Sequence, residues 1–432
     1  MSGPAVLLLE AAGPESGALA KAAVARGRAV HAATTPAGYA AYSAELTGLL
    51  AGRVLTDLAR PERAAQEITA YARRRGIGAV LTVNEYLTEL AALVCATLGL
   101  PGNDPDLAKA ARNKAAMAAA FARGGVTMPR THIVKDEHEL LQLCAAGQIT
   151  FPCVIKPADG AGSTGVTVVT SAKDAPLAWQ AARAGTLMYG MPRDARVLLQ
   201  EYVEGAEFSV ESLTQNGHST HLCTTRKTVT MGTYRVETGH SLPAALPPET
   251  ERAVHQEVER AITAVGIRNG ASHTEVMLTP AGRCVVIEIG ARLGAGQIGF
   301  LIQHALGIDP WTALLDAALG RQADLAPTRQ EHATIRFLTS PATGRLTAVS
   351  GLPEPGPSAP AVRLRTAIGN LVTGTRGNGQ RLGSFVVTGP DARTVEERAD
   401  TLLRQVRIEV EPQPEPPTAG QVTASSTLPS ET

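Results

Sequence analysis

Cysteine is scarce in this sequence, since 432 residues contain only five. They are Cys95, Cys144, Cys153, Cys223 and Cys284. Their number is odd, they are widely scattered, and none belongs to a C-x-x-C pair, so the pattern speaks against a structural zinc site. Small buried thiols in a reducing compartment fit the pattern better, and we therefore expect a cytoplasmic protein.

The sequence also lacks an excess of charge of one sign and lacks long apolar runs. Lys plus Arg and Asp plus Glu each number 40, which argues against a nucleic-acid partner and against an anionic membrane surface. No apolar stretch reaches the ~18 to 20 residues that a membrane span needs, and no basic segment precedes an apolar run near the first residue. Small-molecule chemistry is therefore the expected class of function.

The length of the chain and the order of its patterns predict several lobes. Residues 1–105 open with a β-α-β pattern and are expected to form a Rossmann-like lobe, whereas 331–410 read as a smaller α+β lobe. In the region between them, 106–123 is predicted as one Ala-rich helix. The segments 225–227 and 237–243 are predicted as parts of a polar, partly basic loop. The Pro-rich, polar residues 411–432 are expected to be disordered.

A hairpin signal lies in the second half of the chain, where two apolar β-branched runs flank Pro280–Arg283. If these four residues form the loop, Leu278 pairs with Val285. Glu275 then lies directly opposite Glu288.

With a side-chain period of two, both carboxylates point to one face of the hairpin, and Val276 and Ile287 point to the other. Opposed like charges repel, but a divalent cation between them would remove the conflict, because Mg²⁺ takes oxygen ligands from a few carboxylates and from substrate phosphates. Arg292 follows closely and could stabilise negative charge beside the metal. A surface hairpin with two solvated Glu side chains is the alternative.

A second signal is the apolar strand 152–157, which carries Lys156 and runs into the Gly-rich segment 159–165 before another strand, 166–169. Such a loop can wrap phosphates with its backbone N–H groups. It is not a Walker A loop, because no G-K-[ST] follows and no helix opens there. A structural hairpin with a Gly turn is the alternative. Glu85 follows a strand and is a candidate substrate contact or a simple helix N-terminal acid.

An ordered set of residues runs through the chain: Lys114, Lys156 with its glycine loop, Glu201 ahead of Val203, Glu207, Glu275, Glu288 and Arg292. Taken in this order, the residues resemble the ATP-grasp superfamily, and most closely its ligases that join two L-amino acids and the related carboxylate–amine ligases. The resemblance covers about residues 1–410. It implies a mixed α/β and α+β ATP-grasp fold: an N-terminal Rossmann-like lobe, an ATP-grasp domain at 106–330 with a glycine-rich flap at about 130–202, and a small C-terminal α+β lobe.

The resemblance also implies a role for each matching residue. The residues implied to bind ATP are Lys114, Lys156, Gly160, Gly162, Ser163, Thr164, Gly165, Glu201, Tyr202, Val203 and Glu207. Those implied to contact the carboxylate and amine substrates are Glu85, His240, Arg292, Gly294 and Gly296. Lys156 and Arg292 would be catalytic, and Glu275 and Glu288 would hold two Mg²⁺ ions, which Mn²⁺ could replace. Where the family often has Asn, this chain has Gly290, which would leave one metal contact to water.

The implied reaction is activation of a carboxylate as an acyl-phosphate and its coupling to an amine. Gly294 and Gly296 are expected to leave room for a larger amino-acid substrate, and a homodimer is implied. A biotin-carboxylase-like enzyme is one alternative, although the chain has no Met-Lys carrier motif. A catalytically inactive nucleotide-binding regulatory protein is another, but such a protein would not require the whole set of lysines, acids and Arg292.

Overall fold

The computed structural model describes residues 3–184 and 188–412, which contain 19 β-strands and 12 α-helices. In chain order, the strands are β1 (Ala5–Leu9), β2 (Val30–Thr34), β3 (Leu50–Leu55), β4 (Ile77–Leu81), β5 (Thr131–Val134), β6 (Cys153–Pro157), β7 (Thr167–Val169), β8 (Val197–Glu201), β9 (Ala206–Gln215), β10 (His218–Val229), β11 (Glu237–Leu242), β12 (Gly270–Leu278), β13 (Cys284–Gly290), β14 (His332–Leu338), β15 (Gly344–Ser350), β16 (Ala361–Leu364), β17 (Leu371–Val372), β18 (Gly383–Gly389) and β19 (Arg407–Pro412).

The helices are α1 (Pro14–Ala25), α2 (Pro36–Ala40), α3 (Ala44–Leu49), α4 (Pro61–Arg75), α5 (Thr88–Leu98), α6 (Lys114–Gly124), α7 (Glu137–Ala145), α8 (Ala175–Arg183), α9 (Pro248–Ala264), α10 (Ile298–Leu306), α11 (Pro310–Ala318) and α12 (Ala392–Gln405). No helix in the described ranges is both long and apolar enough to cross a bilayer.

The N-terminal lobe is built on a four-stranded parallel sheet of order β3-β2-β1-β4. Successive residues of β1 are buried on opposite faces, as expected for a parallel sheet covered on both sides. Val6 and Leu8 pack in one core with Leu19 of α1, and Leu7 packs in the other core with Ile68 of α4. The predicted Rossmann-like lobe is thus confirmed.

The prediction of a single helix at 106–123 is wrong, because the helical conformation is interrupted before Lys114. Ala108–Ala111 forms a short 3-10 turn, and Asn113 then adopts an extended backbone that caps α6. The Asn113 side-chain oxygen accepts hydrogen bonds from two backbone N–H groups in the first turn, which is the usual stabilisation of a helix N-terminus. The cap places Lys114 in the first turn, and its backbone N–H donates to Ala158 O at 2.8 Å.

The flap is a four-stranded antiparallel sheet of order β5-β8-β6-β7, packed against α7 and α8. Its core includes Ile155 of β6 and Trp179 of α8. The glycine-rich loop joins β6 to β7. Since β6 carries Lys156, the loop begins beside a buried cationic side chain.

The central sheet has eight strands in the order β13-β12-β9-β10-β11-β14-β18-β16. The polar loop predicted from residues 225–227 and 237–243 is wrong, because 225–227 lie within β10 and 237–242 form β11. Threonine and valine around Arg226 and Lys227 favour a strand, and pairing with β9 and β11 fixes it in the middle of the sheet.

The C-terminal region shares this sheet, since β11 pairs with β14 and β14 pairs with β18. A separate three-stranded sheet of order β17-β15-β19 completes the region, and α12 contributes to its core. Glu411 and Pro412 pair with β15, although 411–432 were predicted to be disordered. The remainder of that predicted tail, 413–432, lies outside the described residues.

Candidate active site

A cleft of about 820 Å³ lies between the flap and the central sheet, and Glu85 of the N-terminal lobe also reaches it. The sequence-predicted residues that line it are Glu85, Lys114, Lys156, Gly160, Gly162, Ser163, Thr164, Glu201, Tyr202, Val203, Glu207, His240, Glu275, Glu288 and Arg292. The predicted residues Gly165, Gly294 and Gly296 do not line it. The structure therefore gathers most of the set into one cavity, while the individual roles stay predictions.

The β12–β13 hairpin places Glu275 opposite Glu288 in its register, as predicted. The register near the turn differs from the prediction, because Leu278 pairs with Cys284 rather than with Val285. A register shift between Glu275 and Val276 makes up the difference of one residue.

The irregularity also moves Ile287 to the other face of the hairpin from the predicted one. Val276 is fully buried in the core beneath the sheet, whereas Ile287 packs beside Val203 and lines the cleft together with Glu288. A β-bulge puts two consecutive residues on one side of a strand. An apolar surface therefore adjoins the two acids within the cleft.

Two predicted lysines approach the acids from α6 and from the flap. Lys114 Nζ lies 2.8 Å from Glu288 Oε1 and donates to Gly160 O at 3.0 Å. Burial alone would lower the pKa of Lys114, but Glu288 and Glu85 outweigh it and raise that pKa. Lys156 has no ion-pair partner among the residues the structure describes, and burial lowers its pKa to about 8.

The third lysine of the cleft, Lys227, was not predicted from the sequence. Its ammonium group forms ion pairs with three carboxylates: with Glu237 at 2.8 Å, with Glu207 at 3.2 Å, and with Glu275. Burial disfavours its charge, but the three acids outweigh burial and raise the pKa of Lys227 well above its ordinary value. The clue in the sequence was a lysine within the strand-like run Thr224–Val229.

Arg292 lies at the end of the cleft nearest the N-terminal lobe and forms an ion pair with Glu85. Its NH1 group also donates to Leu293 O at 2.9 Å. Burial raises the pKa of Glu85, but Arg292 and Lys114 outweigh that effect and hold it below its ordinary value. Glu85 is thus an ionised carboxylate that fixes the guanidinium of Arg292 beside the cleft.

A buried pair, His273 and Glu211, supports this end of the cleft and was also missed from the sequence. The Nδ1 atom of His273 lies 2.5 Å from Glu211 Oε1, and Nε2 lies 3.3 Å from Glu275 Oε1. Burial disfavours the charged ring, but Glu211 outweighs it and raises the pKa of His273 to about 9. Glu211 Oε2 also accepts the backbone N–H of Gly294 at 2.8 Å.

The expectation that Gly294 and Gly296 leave room for a substrate is wrong. A Cβ atom on Gly294 would lie 2.7 Å from His273 Nδ1, and one on Gly296 would lie 2.7 Å from His240 Nε2. The histidines already fill the space beside both glycines. His240 is buried, and its Nε2 stands 3.5 Å from Glu237 Oε2.

The residues implied to bind adenine and ribose, Glu201, Tyr202, Val203 and Glu207, line the same cleft. Glu201 Oε2 accepts the backbone N–H of Arg130 at 3.1 Å, so this acid also ties β8 to the start of β5. Arg235 lies over the Tyr202 ring, 5.3 Å from its centroid, and donates to the Tyr202 hydroxyl. Arg235 lines the cleft as well, and it was not predicted.

Gly165 and Gly290 differ in the space around them. Gly165 has a φ of +74°, and a Cβ there would lie 2.8 Å from Ala181 O, so it supports the flap loop against α8 rather than facing the cleft. Gly290 lines the cleft, and a Cβ there would meet only Arg292 atoms, at 3.9 Å or more.

The two facing acids fit a hard divalent cation. Their carboxylates are oxygen donors on one face, and their side chains keep 23% and 22% of their surface exposed in the cleft, for Glu275 and Glu288 respectively. Within the described ranges, no group of three or more His, Cys, Asp or Glu side chains is arranged to hold a metal. Such a pair suits Mg²⁺, which commonly takes one or two carboxylates and completes its shell with water and substrate phosphates.

Comparisons with known proteins agree with this geometry. A family model of the ATP-grasp domain matches residues 149–300, so this part of the chain is an ATP-grasp domain. Residues 336–411 match L-amino acid ligase C-terminal domain 2, so the region after the ATP-grasp domain is of the L-amino acid ligase type.

Named relatives include dapdiamide A synthase of Enterobacter agglomerans, which is 31% identical over 56% of this chain and 58% of its own length. Alanine–anticapsin ligase of Bacillus subtilis is 27% identical over 61% of this chain and 59% of its own length. The chain thus spans less than two thirds of the length of these relatives. The crystal structure of an L-amino acid ligase from Bacillus licheniformis shares the fold, with a TM-score of 0.77, 20% identity, and coverage of 95% of this chain and 100% of that one.

Proposed function

We propose that the protein is an ATP-dependent carboxylate–amine ligase that forms an amide bond between an amino acid and an amine. The observation that carries the proposal is the convergence of Glu275, Glu288, Lys114, Lys156 and Arg292 on one cleft beneath a glycine-rich loop. The synthase and ligase names of the relatives support the same class of reaction.

A carboxylate is a poor electrophile, and phosphorylation by ATP would make one of its oxygens part of a good leaving group. Phosphoryl transfer needs positioning and neutralisation of charge more than covalent help from the protein. In this proposal Lys114 and Lys156 bind the phosphates, and the loop from Gly160 to Gly165 closes over them. Glu275 and Glu288 would hold two Mg²⁺ ions, which supply positive charge beside the phosphates.

The second half of the reaction is attack by the amine on the activated carbonyl, with release of phosphate. Arg292 would stabilise the oxyanion that develops there, and its ion pair with Glu85 keeps the guanidinium in place. His240 and Glu85 would contact the amino-acid substrates. The closed loop would exclude water, which otherwise hydrolyses the acyl-phosphate.

At the nucleotide end, Glu201 and the backbone at Val203 would meet adenine, with Tyr202 beside them and Glu207 at the ribose hydroxyls. Glu207 lies 3.2 Å from Lys227, so the ribose contact would share its acid with the lysine cluster. The homodimer implied by the resemblance and the cytoplasmic location expected from the cysteine pattern stay predictions.

The test is a screen of amino acids and other amines with ATP and MgCl₂, in which phosphate release is measured and products are analysed by mass spectrometry. We expect phosphate release that depends on an added amino acid, together with a product that has lost one water relative to its two components. Phosphate release that instead requires bicarbonate and biotin would indicate a carboxylase, and binding of ATP with no turnover would indicate a regulatory protein.

A further inference from the structure

The C-terminal region reaches into the cleft through one short turn, Asn378–Gln380, which the sequence did not connect with the site. Asn378 is buried, with 8% of its surface exposed, and it lines the cleft. Its backbone N–H donates to Gly162 O in the glycine-rich loop at 3.1 Å. Its side-chain Oδ1 accepts the backbone N–H of Glu237 at 3.0 Å. One residue therefore bonds the flap loop on one side and β11 on the other.

The turn itself is held firmly from behind by Arg381. The Arg381 Nε group donates to Asn378 O at 2.9 Å, and NH1 lies 3.5 Å from Glu237 Oε2. The guanidinium also stacks on the Phe337 ring, 3.8 Å from its centroid. Because Glu237 belongs to the Lys227 cluster, the turn is anchored to the same strand that supports the acids of the site.

We propose that the turn 377–381 is a latch that holds the glycine-rich loop closed over the bound nucleotide, with Asn378 as its positioning residue. The inference rests on the proposed binding of ATP in this cleft. The turn contacts the loop at Gly162, midway between Gly160 and Gly165, and so restrains the part of the loop that covers the phosphates. A restrained loop retains the nucleotide longer and keeps water from the activated carboxylate.

The first test compares Asn378→Ala with Gln380→Ala in the full chain. Gln380 is in the same turn, but among the described residues its side chain bonds only to the C-terminal region, to Arg376 N at 2.6 Å and to Thr373 Oγ1 at 2.9 Å. Asn378→Ala keeps the backbone N–H that bonds Gly162 O, but it removes the Oδ1 bond to Glu237 N, so the turn loses its anchor on β11. Loss of this one neutral hydrogen bond should weaken ADP binding roughly two- to tenfold. Gln380→Ala should match the wild type. Equal ADP affinity in Asn378→Ala and the wild type would overturn the role of Asn378 as the positioning residue of the latch.

The coupling of phosphate release to amide formation gives a second readout, which a merely structural role of Asn378 would not change. In Asn378→Ala the ratio of phosphate released to amide formed should rise above that of the wild type, because water reaches the acyl-phosphate. An unchanged ratio would contradict the role of the latch. If the wild type binds ADP but forms no amide, the proposed ligase activity fails, whereas the ADP affinities still decide the latch.

A crosslink tests the latch even if Asn378→Ala is poorly folded. A Cβ on Gly162 would stand 3.7 Å from the Asn378 Cβ, within the range of about 3.5 to 4.5 Å that a disulfide requires. The native cysteines are buried and should not compete. The double variant Gly162→Cys/Asn378→Cys, loaded with ADP and oxidised, should release ADP at least tenfold more slowly than after reduction. Gly162→Cys alone controls for the strained left-handed backbone at that position.

Failure of the disulfide to form would show that the loop and the turn are not held together, and would overturn the latch. The same conclusion would follow if the crosslinked protein exchanged ADP as fast as the reduced protein.

Discussion

The flap and the central sheet each bring a buried lysine to the same cleft, and the two lysines differ in the ion pairs that they form. Lys227 of the central sheet is surrounded by Glu207, Glu237 and Glu275, which raise its pKa well above the ordinary value. Lys156 of the flap has no such partner within the described part of the chain, and burial lowers its pKa to about 8. Burial is similar, so the neighbouring charges make the difference.

This difference indicates that the two lysines have different roles. The charge of Lys227 is already balanced by the protein and stabilises the arrangement of the acids. Lys156 forms no ion pair with a described residue, and the raising effect of Glu288 and Glu275 on its pKa does not offset burial, so its charge is available to a bound anion. A buried, uncompensated ammonium group is costly to the fold, and such groups concentrate at functional sites. This contrast favours a phosphate contact for Lys156 and a positioning role for Lys227.

The largest expected effect is that of Lys156→Met on activity. Loss of the uncompensated charge should lower kcat/KM for ATP by about 10³, in line with the removal of a buried group that binds the reacting phosphate. Stability should stay the same or rise, because methionine relieves the cost of a buried charge. Steady-state kinetics test the loss of kcat/KM, and urea unfolding of the same preparations tests the stability. If Lys156→Met were strongly destabilised but turned over normally, Lys156 would have a structural role rather than a phosphate contact.

Arg292→Ala should lower kcat by about 10² to 10³, by analogy with loss of an oxyanion donor. Arg292 is intermediate between the two lysines, because Glu85 balances its charge while the guanidinium still lines the cleft. Glu85→Gln is the matched variant, since it keeps the shape of the pair and frees the charge of Arg292. Ordinary turnover in Arg292→Ala, measured by phosphate release, would remove this residue from the mechanism.

Lys227→Met should act mainly on the fold. The change leaves three carboxylates without their shared cation, and breaking a buried ion pair in this way costs about 3 to 5 kcal/mol. Denaturant unfolding should therefore give Lys227→Met a clearly lower free energy of unfolding than Lys156→Met. If the two methionine variants were equally stable, Lys227 would stabilise the fold no more than Lys156 does, and the contrast between them would be contradicted.

The smallest expected effect concerns pH. The pKa of Lys156 in the folded protein, about 8, lies below its ordinary value of 10.5, so the ammonium form is lost as the pH rises through 8. ADP affinity should be constant below about pH 7 and should then fall, approaching tenfold per pH unit above 8. Lys156→Arg, which stays charged, should show no such fall. Calorimetric titration of ADP at several pH values measures this, and an equal dependence in both proteins would contradict it.

The part of the site that depends on local rules could be predicted from the sequence. A turn signal indicated the hairpin, and a strand followed by glycines indicated the loop after Lys156. The pairing of Glu275 with Glu288 was also predicted, but in the structure it depends on a bulge that the prediction did not include. The bulge that turns Ile287 into the cleft has no local signal in the sequence: β12 pairs with β9 without a shift, and the extra residue lies on β13.

The missed residues owe their positions to the central sheet and to contacts between distant segments. Lys227 seemed to belong to a polar loop, and only the pairing of β10 on both sides buries it among the acids. Asn378 carries no local signal, since its contact with Gly162 arises from the way the C-terminal strands extend the central sheet. The break before Lys114 was visible in principle, because Asn is a favoured helix cap.

The most direct measurement of the central claim follows an oxygen atom. An amino-acid substrate identified by the screen is labelled with ¹⁸O in its carboxylate and incubated with ATP, MgCl₂ and the amine. Activation through an acyl-phosphate transfers one labelled oxygen to the released phosphate, which mass spectrometry detects, and Glu288→Gln should abolish both the release and the transfer. Amide formation with no ¹⁸O in the phosphate, or full activity in Glu288→Gln, would contradict the account.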